Sequence, residues 1–130
     1  SNPAGFYVSD NGNGYASASF DGVYITAKST TTSANAVTIT ARKAYNLSGY
    51  SKLIIELNVT KATTHTNTNG GISLKNGSEE LIRIWQDGLY GTVGAKTYSF
   101  NLSNLQKVLT PSLDFTLRTA VVQITRIRLA

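Results

Sequence analysis

Residues 52–60, Lys52-Leu53-Ile54-Ile55-Glu56-Leu57-Asn58-Val59-Thr60, are the most apolar run in the chain, and their order decides the fold. Leu53, Ile55, Leu57 and Val59 recur at every second residue, the period that brings side chains onto one face of a strand. Ile54 adds apolar surface to the other face, as in an interior strand, so this segment is placed centrally in a sheet. On its N-terminal side, Ala36 to Arg42 sets Val37, Ile39 and Ala41 against Thr38, Thr40 and Arg42. Earlier still, Tyr15 to Phe20 and Val23 to Lys28 flank Asp21-Gly22, a dipeptide suited to the positive φ angles of a tight hairpin. In the second of these runs Val23, Ile25 and Ala27 are expected inside, leaving Tyr24, Thr26 and Lys28 outside.

The C-terminal side reads the same way. Ile72 to Lys75 and Leu81 to Trp85 flank Asn76-Gly77, and turning Ile82 and Ile84 inward leaves Arg83 and Trp85 pointing out. Thr97 to Leu102 offers Tyr98, Phe100 and Leu102 to the core, and Leu113 to Arg118 offers Leu113, Phe115 and Leu117. In the run Val121 to Leu129 the phase changes between Ile124 and Ile127, which a β-bulge near Thr125 reconciles. With no helical stripe competing, the chain is expected to be all-β: an antiparallel two-sheet β-sandwich of the jelly-roll kind with about eight or nine strands. Residues 1–130 are expected to form a single domain, a module of a longer protein.

Composition bounds the chemistry. The 130 residues include no Cys, so disulfides, thiolate metal sites and cysteine nucleophiles are excluded. Thr, Ser and Asn number 17, 13 and 11, whereas charged residues make up only 15%, which favours strands and turns and leaves a neutral polar surface. Such a surface suits an extracellular or virion location. The net charge of +5 could draw anionic partners, but Lys and Arg form no dense cluster, so nucleic acid is not an expected partner. No apolar run is long enough to span a membrane.

Three stretches carry a family resemblance: YNLSGYSKLIIELNV at Tyr45–Val59, KTYSFNLSNL at Lys96–Leu105, and the closing ITRIRLA at 124–130. In order and spacing the chain resembles jelly-roll modules related to carbohydrate-binding modules, and also domains appended to phage tail and baseplate proteins of Gram-positive hosts. The resemblance implies a non-catalytic module that recognises a carbohydrate or cell-wall polymer, in a phage tail or cell-surface protein. The alternative is a structural domain whose faces pack against itself or its parent chain.

Candidate ligand residues follow from the outward positions. Trp85, beside the glycine-spaced loop at 88–94, is placed to stack on a ligand, with Tyr90 at the loop tip joining it and Arg83 donating hydrogen bonds. Trp85 could equally cap the sandwich edge or an intersubunit contact. Tyr24 is a further outward aromatic. Arg42, Arg83, Arg118, Arg126 and Arg128 fall on polar strand faces, and would form one basic surface if their strands are neighbours. The single histidine, His65, lies in a Thr/Asn-rich loop with no serine or acid at a spacing that suggests a triad. Glu56, Glu79, Glu80 and Asp87 are the conceivable members of the carboxyl pair that a hydrolase needs about 5 to 10 Å apart, but they read as turn and outward strand positions. The Asp10 segment DNGNG lacks the spaced acidic pattern of a calcium loop. No catalytic residue and no cofactor is therefore expected.

Overall fold

The computed structural model describes residues 5–9, 16–31, 35–64, 71–85 and 89–130, and within them the alternating segments form twelve strands and no α-helix. A front sheet is ordered β1 (Phe6–Ser9), β4 (Asn35–Ala41), β11 (Pro111–Leu117), β7 (Ile72–Asn76) and β8 (Glu79–Ile84). A back sheet is ordered β2 (Ala16–Phe20), β3 (Ile25–Ser29), β12 (Val121–Leu129), β6 (Lys52–Lys61) and β9 (Gly94–Asn101). The short strands β5 (Tyr45–Asn46) and β10 (Val108–Leu109) pair across one end. Every pairing is antiparallel, and the two large sheets pack as a β-sandwich.

All nine expected strands are present. The count rises to twelve because β1, β5 and β10 are too short to show a convincing alternation. β6 has neighbours on both sides, as its two apolar faces require, although β12 holds the middle of the back sheet. Between the sheets lie Ile25, Ile39, Ile55, Leu74, Phe115 and Ile124, all at 0% exposure. Burying each such side chain contributes about 1.5–3 kcal/mol, which offsets the entropy of ordering the strands.

The bulge sits where the phase change requires it. Ile124 pairs with Leu57 and Arg126 with Glu56, leaving Thr125 as the extra residue. The Thr125 hydroxyl donates to the Glu56 carbonyl at 3.0 Å, and the shift returns Ile127 to the core after Val122 and Ile124. Val23 departs from expectation, being 60% exposed. Asp21 Oδ1 accepts the N–H groups of Val23 and Tyr24, both at 2.8 Å, so residues 21–24 are turn and pairing resumes only at Phe20 and Ile25. Gly22 supplies the positive φ of 99° that this turn demands. These N–H donors to Asp21 also hold its carboxyl below the usual aspartate value.

Candidate functional site

Strand register lines up the outward side chains of the front sheet in rows. In one row Tyr7 of β1 faces Thr40, Thr40 faces Ser112, Ser112 faces Lys75, and Lys75 faces Glu80 of β8. The next row runs Thr38, Asp114, Ser73, Arg83. Beyond it, Thr116 pairs with Ala36 and donates its N–H to the Gly71 carbonyl at 3.0 Å, and Gly71 packs against the backbone of Ile84 and Trp85. Gly71 has φ of 61°, and a Cβ there would overlap the Ile84 carbonyl oxygen, so this approach of β7 to the Trp85 backbone needs glycine.

Short hydroxyl side chains make the floor of this face. Ser73 and Ser112 point away from the core yet are only 4% and 6% exposed, because their larger neighbours rise around them. The floor's hydrogen bonds fall into three neighbouring clusters. Thr38 Oγ1 donates to Asp114 Oδ1 at 2.7 Å, Lys75 Nζ donates to Asp114 Oδ2 at 3.1 Å, and the Thr40 and Ser112 hydroxyls lie 2.8 Å apart. Ser73 Oγ and Arg83 Nε both donate to Glu80 Oε1, at 2.8 and 2.9 Å. Arg83 first, and then Ser73, hold the Glu80 carboxyl below its usual range. Each floor carboxylate thus has a cation as partner, and the face is polar with little net charge.

Aromatic rings stand at opposite corners. Tyr7 on the β1 edge is 42% exposed with the Arg42 guanidinium 5.8 Å from its ring centroid. Trp85, just past β8, is 64% exposed with the Arg83 guanidinium 5.3 Å away. Four interstrand gaps separate the two edges, which at the usual spacing places them about 19 Å apart across the strands.

The expected site residues divide. Trp85 and Arg83 stand together as anticipated, with Ile82 and Ile84 turned toward the core on the opposite face. Arg42 belongs to the same face but at its far edge. Tyr24 is half-buried in the turn before β3, on the back sheet's side of the molecule. Arg118 is half-buried just past the end of β11.

Tyr90 requires a correction. It is not at an exposed loop tip but fully buried beside Leu89, its backbone at φ 59°, its ring packed edge-on against Tyr98 at 6.3 Å and its carbonyl accepting the Thr63 N–H at 3.0 Å. Burial pushes its hydroxyl well above the usual tyrosine range. A tyrosine seldom adopts this left-handed backbone, and nothing in the neighbouring sequence signals it. The single basic surface is also corrected. Arg42 and Arg83 lie on the front sheet, whereas Arg126 and Arg128 lie on β12 in the back sheet, where both face Glu56.

Sequence reasoning missed Tyr7 and the whole hydroxyl floor. Alternation marked Thr38, Thr40 and Arg83 as outward, but nothing local says that β11 lies between β4 and β7. Glu56 and Glu80 fall on opposite sheets. Among the described residues no three His, Cys, Asp or Glu side chains gather in a way that could hold a metal, and no helix is long and apolar enough to cross a membrane. Asp10, His65 and Asp87 lie outside the described residues.

No protein-family model matches the chain, and no curated protein matches it in sequence. Solved structures do resemble it. A low affinity xylan binding module, CBM86, from the gut symbiont Roseburia intestinalis superimposes with a TM-score of 0.62 at 17% identity, covering 99% of this chain and 92% of that one. A family 29 carbohydrate binding module, CBM29_1, from Piromyces equi gives a TM-score of 0.56 at 12% identity, covering 97% and 80%. The secreted serine protease VesC from Vibrio cholerae gives 0.51 at 8% identity, and there the likeness covers only 25% of that chain. The chain therefore has the β-sandwich fold seen in these two carbohydrate-binding modules.

Proposed function

We infer that the chain is a non-catalytic module that holds a neutral polysaccharide against the outer face of the front sheet. The observation that carries this reading is the sunken hydroxyl floor bounded by exposed Tyr7 and Trp85, each with a guanidinium beside its ring. Sugar hydroxyls are met by Thr40, Ser112 and Lys75, while aromatic rings offer flat apolar surface to the C–H faces of sugar rings. Ion pairs within the floor favour a neutral polymer, since an acidic one would have to compete with Asp114 and Glu80 for Lys75 and Arg83. The shared fold with modules named for xylan and carbohydrate binding supports the same ligand class.

Catalysis is not part of this reading. A general acid needs a raised pKa, whereas Glu80 is held ionised by Arg83 and Ser73, and Glu56 is engaged by Arg128 and Arg126. The weakly charged, Thr-, Ser- and Asn-rich surface fits display outside a cell, in a secreted, cell-surface or virion protein of which this module is one part.

Calorimetric titration at neutral pH with soluble xylan, β-glucan and mannan tests the reading. Saturable binding to at least one of them, persisting in about 0.5 M salt where surface charge is screened, is the expected result. Binding to none of them, or only to acidic polymers and lost in salt, overturns it.

A further inference from the structure

A cleft of about 370 Å³ opens at the end of the sandwich that carries Phe6 and Pro111, the end away from Trp85, and spills onto the back sheet. Its inner wall is apolar: Phe6, Leu47, Leu53 and Ile127 are each no more than 3% exposed. Tyr45 and Tyr50 form the mouth, Tyr50 being 41% exposed. Arg126 and Arg128 complete the lining.

The charges at this mouth do not balance. One carboxylate oxygen, Glu56 Oε2, serves both guanidiniums, at 3.2 Å from Arg128 Nε and 3.8 Å from Arg126. The Arg126 side chain is 57% exposed, and a third cation, Lys43, sits 5.3 Å from the Tyr45 ring centroid. Two guanidiniums therefore share one carboxylate oxygen beside an apolar cavity of ligand-binding size, with a further cation over one of its lining tyrosines. The guanidinium fork matches a carboxylate, and the tyrosine mouth matches the face of a ring.

We propose that this cleft is a second ligand site, independent of the front sheet, which takes a carboxylate carried on a ring: an aromatic acid or the uronic acid of an acidic glycan. The apolar wall receives the ring, Tyr50 covers it, and Arg126 and Arg128 hold the carboxylate. Glu56 is the internal competitor, occupying the guanidiniums until an external carboxylate displaces it.

Amide-resolved NMR titration of the whole chain at pH 7 tests this with three probes: benzoate, its neutral isostere benzamide, and methyl glucuronoside. Benzoate or methyl glucuronoside should give saturable shifts at Leu47, Tyr50 and Leu129, and comparison of the two identifies which source of the carboxylate fits. A charge-assisted contact predicts that benzamide binds about tenfold more weakly than benzoate. Arg126→Gln with Arg128→Gln should erase that preference, and Glu56→Gln should tighten acid binding severalfold. Trp85→Ala should leave all of it unchanged, so loss of polysaccharide binding and loss of this site are separable. Equal affinity for benzoate and benzamide, weaker acid binding in Glu56→Gln, or no saturable shift at those amides with either acid would overturn the proposal.

Discussion

Replacing Trp85 with Ala removes the largest exposed ring from the front face, and the size of the effect can be worked from its surroundings. A whole Trp side chain presents about 250 Å². With 64% of the residue exposed, about 160 Å² faces water. Arg83 lies 5.3 Å from the ring centroid and takes one side, so a bound sugar can cover about half of that area, ~80 Å². At ~25 cal/mol per Å² this is about 2 kcal/mol, or a loss of about 30-fold in affinity. Because the side chain is exposed, unfolding free energy should change by less than about 1 kcal/mol. Calorimetry with the best-bound neutral polysaccharide reads the first quantity and urea unfolding the second. Affinity retained within about threefold, in a variant of unchanged stability, would refute stacking at Trp85.

Gly71→Ala should destabilise the chain by at least about 2 kcal/mol, since it adds left-handed strain to an overlap with the Ile84 carbonyl; an unchanged urea midpoint would contradict the close approach of β7 to Trp85. Phe115→Ala, at the centre of the core with Val37 and Ile72 as its paired neighbours, should cost about 3–5 kcal/mol, and a loss below about 1 kcal/mol would mean the two sheets do not close over it. Glu80 has a folded pKa below its ordinary value of 4.5, so its stabilising contribution is present above 4.5 and is lost as pH falls through the lowered value. The difference in melting temperature between wild type and Glu80→Gln should accordingly be full at pH 7 and shrink on acidification below 4.5; a gap that stays constant down to pH 3 would dissociate Glu80 from Arg83.

The architecture was legible because period-two alternation is a local signal tied directly to burial. Val37, Ile39, Leu53, Ile55, Phe100 and Phe115 are all buried as their spacing requires, and the slip in phase around Thr125 located a bulge from the sequence alone. The three strands that escaped notice are those too short to alternate. Of the site, the outward pair Arg83 and Trp85 was legible for the same local reason. Tyr90 was misread because its burial against Tyr98 is a long-range contact and its left-handed backbone, φ 59°, is not one that a tyrosine advertises. The floor was invisible for a different cause. Thr40, Ser112 and Lys75 come from segments spread over more than half the chain, and only strand order places them in one row.

The most direct measurement is amide-resolved NMR of the chain titrated with a neutral oligosaccharide cut from the best-bound polymer. Saturable shifts should cluster at Thr40, Ser73, Ser112 and Trp85, while Thr26, Asn58 and Gln123 on the outer face of the back sheet stay unmoved. Shifts confined to the back sheet, with the hydroxyl floor silent, would contradict binding at the front sheet.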